Sequence, residues 1–105
     1  MAAVVDASTD GLERIGTALA DRVRRNMLVR LLDGPAYPSE FAGLLGESRS
    51  NVSNHLACLR GCGLVRVTRE GRKLRYELAD QQLADALRLL AELDLRSCPA
   101  HLDRQ

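Results

Sequence analysis

At 105 residues, 46% hydrophobic and 28% charged, the chain fits one soluble globular domain. Only 3% of it is aromatic, so a core must come from Leu, Val and Ala, which points to a mainly helical domain. The formal net charge of +1 announces no anionic partner by itself; no apolar run approaches the ~20 residues of a membrane span, no secretory leader opens the chain, and three cysteines suit a disulfide framework poorly. A cytoplasmic protein with reduced thiols and no membrane partner is expected.

Residues 1–7 carry no pattern and read as a loose tail. Asp10 with Glu13 three residues on has the form of a capping box, and Leu12, Ile15 and Leu19 then recur at helical spacing, predicting a first helix from there to about Ala20. Asp21 suits the cap of a second helix with Val23, Met27, Leu28, Leu31 and Leu32 facing inward, and Gly34-Pro35 stops it. Pro38 fits the first position of a short third helix capped at Tyr37, burying Phe41, Leu44 and Leu45 and ended by Gly46. Ser48 caps a fourth helix running to about Cys62, with Gly63 after it. Two short helices joined around a glycine form a helix-turn-helix. Val65, Val67, Leu74, Tyr76 and Leu78 then alternate with charged residues about the turn Glu70-Gly71-Arg72, which predicts a two-stranded hairpin, the wing. Leu83, Ala86, Leu87, Leu90 and Leu93 make a fifth helix, and Pro99 closes the pattern before a short polar tail over 97–105. The sum is a single winged helix-turn-helix domain over 1–105, mainly α with a small β-hairpin.

The charge is unevenly spread. Between Glu47 and Leu78 seven basic residues face three acids, whereas from Ala79 onward three basic residues face five acids. A basic middle and an acidic end suit a module with an anionic partner on one face. In a helix-turn-helix the second helix lies in the major groove with its N-terminal residues toward base edges. Here these are Arg49, Ser50, Asn51, Ser53, Asn54 and His55, opposite a stripe of Val52, Leu56 and Leu59. Arg pairs with guanine and Asn with adenine, and Ser at a helix start suits phosphate. Arg69, Arg72 and Lys73 at the hairpin tip are suited to grip flanking backbone. The competing reading is a solvated helix face beside an edge strand protected by its charges. The combination of capped polar helix, buried stripe, glycine stop and basic hairpin favours double-stranded DNA as partner.

The order of motifs resembles the ArsR/SmtB family of metal-responsive repressors, from ALADRVRRNMLVRLLDG through YPSEFAGLLGESRSNVSNHLACLRGCGLV to REGRKLRYELAD. Within it, LACLRGCGLV resembles the CmtR-type branch of cadmium and lead sensors. The resemblance implies a homodimer joined by the first and fifth helices, operator binding without metal, and release with metal.

Cys58 and Cys62 stand four apart on the predicted reading helix, on one face with Cβ atoms about 5–6 Å from each other. That spacing lets two thiolates converge on one ion at the ~2.3 Å typical of zinc–sulfur bonds, and soft thiolates favour soft or borderline cations. With Cys98 as a third sulfur, which the resemblance implies comes from the partner subunit, Cd(II) and Pb(II) match best and Zn(II) is a further candidate inducer. His101 is a candidate fourth donor, though a solvated tail histidine is the simpler reading. Without the resemblance, the pair also fits two small apolar fillers, since free cysteine is itself a small hydrophobe. The third helix has no cysteine and the fifth has no histidine, so the sites that other members carry there look absent.

Other classes fare less well. A thiol-redox regulator on the same scaffold is the main alternative, but neither cysteine sits at a helix N-terminus, where thiolates form readily. An enzyme needs a base and an orienting partner for its nucleophile; two histidines and no phosphate cradle or paired-carboxylate cleft leave little for one, and no small-molecule substrate is expected. A winged helix that binds protein in place of DNA is a third alternative.

Overall fold

The computed structural model describes residues 2–95, with side chains from Thr9 onward. Five helices and one hairpin follow in the order α1 (Ala2–Ala20), α2 (Arg22–Leu31), α3 (Pro38–Leu45), α4 (Arg49–Gly61), β1 (Val65–Glu70), β2 (Lys73–Leu78) and α5 (Gln81–Ala91). Cys98, His101, Pro99 and the expected 97–105 tail lie outside the described residues.

Local chemistry sets most boundaries as the sequence predicts. The Asp21 carboxylate accepts the Arg24 N–H at 3.0 Å and opens α2. Tyr37 precedes Pro38 at the start of α3, and the Glu40 carboxylate accepts the Tyr37 N–H at 3.0 Å. The Ser48 hydroxyl accepts the Asn51 N–H at 3.1 Å and opens α4. Each cap gives a partner to a backbone donor that the first helical turn leaves unsatisfied. Between α3 and α4 the chain must reverse within a few residues, and Gly46 does so at φ +65°, a left-handed conformation that costs glycine little.

The first helix differs from expectation. It begins at Ala2, so Asp10 and Glu13 lie inside it and cap nothing. In a helix already under way the backbone donors are taken, and the Asp10 carboxylate instead meets Arg14 one turn on, at 3.2 Å.

β1 and β2 pair antiparallel from Val65↔Leu78 to Glu70↔Lys73. Because Glu70 and Lys73 are themselves paired, the loop is the two residues Gly71-Arg72, with Gly71 at φ +61°, the glycine conformation that tight hairpins require. Ala36 adds a single bridge to Tyr76, exchanging two backbone hydrogen bonds of 2.9 Å. The segment before α3 is thereby tied to the wing.

The core gathers Met27, Leu28 and Leu31 of α2, Phe41 of α3, Val52, Leu56 and Leu59 of α4, Val65, Tyr76 and Leu78 of the wing, and Ala84 and Leu87 of α5. Fully burying a large apolar side chain is worth about 1.5–3 kcal/mol, so the α4 stripe alone anchors the reading helix firmly. Five positions of the expected apolar stripes depart. Leu12 of α1 is 64% exposed; Leu44 is 63% exposed on the outer side of α3; Ala86 of α5 is exposed and Leu90 is 51% exposed; and Leu93 lies beyond the end of α5 and is exposed. Helical spacing marks an apolar face but not what covers it.

Candidate functional site

Ser48 fixes where α4 begins, and its buried stripe fixes which way it turns. Val52, Leu56 and Leu59 face the core, so Arg49, Ser50, Asn51, Ser53 and Asn54 face solvent. The Asn51 side-chain amide donates to the Glu47 carboxylate, which holds that side chain against the turn before α4. Arg49 and Ser53 come within one open groove of about 340 Å³ with Ser39 of α3 and with Arg72 and Lys73 of the wing. Tyr37 and Pro38 form its remaining polar-to-apolar wall with Leu74. The groove therefore carries three cationic side chains and three hydroxyls, those of Tyr37, Ser39 and Ser53, from three separate parts of the chain. Such a surface suits the phosphate backbone of a duplex lying along α4. Arg69 is also exposed on the wing and bends back toward the Gly71 carbonyl, at 3.4 Å.

His55 departs from its polar neighbours. Its side chain is 17% exposed, with Nδ1 3.8 Å from the Asp21 carboxylate at the start of α2. The Arg24 amide donated to Asp21 holds that carboxyl below the ordinary carboxylate range; partial desolvation opposes the shift and His55 adds to it. The sequence held the signal. His55 is three residues from Val52 and four from Leu59, the spacings that put helix residues on one face.

The two cysteines lie at the other end of α4. Cys62 is its C-cap, in helical conformation, and donates its N–H to the Cys58 carbonyl at 3.0 Å, so one turn separates the pair. Both thiols are free and half-buried. Cys62 leans on the core, whereas Cys58 stands outside that cluster. Neither is sealed from solvent. Among the described residues no three His, Cys, Asp or Glu side chains converge to hold a metal ion. The pair therefore supplies two soft donors, a set that fits a thiophilic cation and needs completion from elsewhere.

Two groove residues escaped the sequence reading. Tyr37 entered it only as a helix cap, and Ser39 not at all. Their part in the groove depends on a wing more than thirty residues away in sequence, which local pattern cannot show.

Residues 21–67, from the α2 cap through α4 into β1, match the family model of bacterial regulatory proteins of the arsR family. The HTH-type transcriptional regulator CmtR of Mycobacterium tuberculosis is 60% identical over 84 residues, covering 80% of this chain and 71% of that one. The chain belongs to the arsR family. Its fold agrees with other members. The NMR structure of the cadmium metal-sensor CmtR from Mycobacterium tuberculosis superposes with a TM-score of 0.67 at 57% identity, covering 83% of this chain and 90% of that one. A homodimeric winged helix-turn-helix DNA-binding domain from Mycobacterium bovis does so with a TM-score of 0.74 at 30% identity, covering 82% of this chain and 80% of that one. As in those arsR-family relatives, the architecture is a winged helix-turn-helix, and the family is one of regulators, not enzymes. No helix among the described residues is long and apolar enough to cross a membrane.

Proposed function

We propose that this arsR-family protein is a cytoplasmic repressor that binds double-stranded operator DNA as a homodimer and is released by a soft metal ion. Cd(II) or Pb(II) is the inducer in this reading, with Zn(II) a further candidate. The observation that carries it is the position of Cys58 and Cys62, one turn apart on the helix that also presents Arg49, Ser50, Ser53 and Asn54. The description of the Mycobacterium tuberculosis relative as a cadmium sensor supports the choice of metal.

Each group has a role. Arg49 and Asn54 read base edges from the major groove, Asn51 joins them by exchanging the Glu47 carboxylate for a base, and Ser50 and Ser53 take phosphate. Arg69, Arg72 and Lys73 hold the flanking backbone, giving affinity that falls with salt. His55, turned toward Asp21, orients α4 against α2 and contacts DNA at most through its edge. Exposed Leu12, Leu89, Leu90 and Leu93 offer an apolar surface for the second subunit, as the homodimeric relative suggests.

Cys58, Cys62 and Cys98 would hold the ion, which supplies a crosslink between α4 and the tail. Two reading helices must meet half-sites about 34–36 Å apart. Restraining one end of each helix changes that relation, and typical allosteric coupling of about 1–3 kcal/mol then suffices for release. Uptake needs thiolates, so metal affinity falls in acid.

The test is ultraviolet absorbance of reduced protein during Cd(II) addition. A thiolate-to-metal band scaled to three sulfurs per ion, diminished in Cys58→Ser, Cys62→Ser and Cys98→Ser, is expected. A band that survives both helix substitutions would remove α4 from the site.

A further inference from the structure

Tyr37 stands where α3, α4 and the wing meet. Its hydroxyl donates to Glu70 Oε1 at 2.7 Å, across a sequence separation of 33 residues. Glu70 is the last residue of β1 and pairs with Lys73, so this bond grips the wing at its tip-closing rung. From the other side of that rung, the Lys73 ammonium lies 5.3 Å from the centre of the Tyr37 ring, within cation–π reach. Tyr37 is itself well anchored. Its backbone N–H is held by Glu40, and Glu40 is paired with Arg30 of α2 at 3.2 Å. Next to it, Ala36 is bridged to Tyr76 at mid-wing. The wing is thus fastened to the start of α3 at two heights, once by backbone at Ala36 and once by the Tyr37 side chain.

This placement matters because, among the described residues, the other ion pair at the tip, Arg75–Glu70 at 3.6 Å, lies within the wing and does not tie it to the helices. A two-stranded hairpin is marginally stable alone, and its tip extends past the apolar rungs. Val65, Tyr76 and Leu78 at the base are buried, whereas Arg69, Glu70, Gly71, Arg72 and Lys73 at the tip are exposed. Lys73 and Arg72 line the same groove as Arg49 and Ser53 of α4. The width of that groove is therefore set by how the tip is held, and what holds it is Tyr37.

We infer that Tyr37 is a positioning residue for DNA recognition: its hydroxyl, bonded to Glu70, and its ring, under Lys73, lock the wing tip at the separation from α4 that a duplex backbone requires. The inference rests on the DNA-binding reading above. The presence of Glu70 in a DNA-facing tip is then accounted for. An acidic residue there repels phosphate; within the wing it pairs with Arg75 at 3.6 Å, and across to α3 its contribution is to accept the hydrogen bond from the Tyr37 hydroxyl. The same hydrogen bond raises the phenol's pKa above its ordinary value, because the neighbouring carboxylate favours the protonated, donating form.

The experiment uses the full chain and a fluorescein-labelled duplex selected by the wild-type protein from a random-sequence pool. Tyr37→Phe, which removes only the hydroxyl, is expected to weaken binding about five- to twentyfold by anisotropy. The plot of log affinity against log salt should become shallower by about one phosphate contact, roughly 0.9 in slope, because the wing grips less often. Hydroxyl-radical footprints should lose protection at the flanks and keep it at the centre of each half-site. Glu70→Ala should also weaken binding, although removing an anion near phosphate would by charge alone strengthen it. The double substitution should be no weaker than Glu70→Ala. Thermal melting checks that all variants fold; a merely structural loss would lower melting and leave the salt slope alone. Tyr37→Phe binding within twofold of wild type, or Glu70→Ala binding more tightly, would overturn the inference. Failure of the wild-type protein to select any duplex would instead defeat the DNA-binding reading, and this inference with it.

Discussion

The two ends of α4 share one rod of backbone but face different surroundings. At the N-terminal end, the Ser48 cap, the open groove and a row of exposed polar side chains leave Arg49 and Ser53 free to meet a partner. At the C-terminal end, Cys58 and Cys62 are half-buried, and Cys62 leans on the core. The stripe of Val52, Leu56 and Leu59 runs between them, fully buried. A rigid helix anchored along its middle carries a displacement at one end to the other, so a ligand that restrains the thiols need not touch DNA to affect it. The comparison teaches that, on the proposed function, recognition and response should be separable by mutation along one helix.

Breaking the shared middle should have the largest effect. Leu56→Ala removes a buried side chain from the centre of the stripe and is expected to cost about 2–5 kcal/mol of stability, seen as a lower denaturant midpoint, and to impair both ends together. Arg49→Ala should separate them. It is expected to lower operator affinity by about 1–3 kcal/mol, as for loss of a bidentate base contact, while the Cd(II) absorbance band stays as in wild type. Cys58→Ser should be its mirror image: operator affinity without metal unchanged, and the metal-dependent loss of about 1–3 kcal/mol abolished in anisotropy titrations.

Smaller effects sharpen the comparison. Ser48→Ala removes the acceptor for the Asn51 N–H and should reduce stability by about 1 kcal/mol by chemical denaturation, fraying the DNA end while leaving the thiol end intact. The smallest is a pH effect at Asp21. Its carboxyl is held below the ordinary range by the Arg24 amide, so the contribution is present above the unfolded carboxyl's pKa of about 3.9 and is lost as pH falls through the lowered folded value. Asp21→Asn cannot titrate, so the melting-temperature gap between wild type and variant should narrow as pH is taken from 5 to 2.

Most of the fold was legible because its boundaries are chemical and local. Asp21, Tyr37-Pro38, Ser48 and the alternating wing each announce themselves within four or five residues. The errors came where one local pattern has two physical outcomes. Asp10 and Glu13 have the spacing of a cap and equally that of charged residues inside a helix, and nothing nearby distinguishes the two. Leu44, Leu90 and Leu93 extend apolar periodicity but are exposed in the single chain, because periodicity records a face and not its partner. At the candidate site, the exposed row from Arg49 to Asn54 follows from helical geometry once the buried stripe is seen. His55 lies at the edge of that stripe, and polarity alone was a poor guide to it. The groove and the Tyr37–Glu70 bond are tertiary: they exist only once the hairpin folds back toward α3, and no spacing along the chain encodes that approach.

The central claim is that metal captured at the C-terminal end of α4 is felt at its N-terminal end. Its most direct test is the affinity of the reduced protein for its selected operator duplex, measured by anisotropy with and without saturating Cd(II). The account predicts a fall of about five- to 150-fold, as expected of allosteric coupling, that vanishes in Cys58→Ser. Equal affinity in both conditions, with the thiolate-to-metal band present, would contradict it.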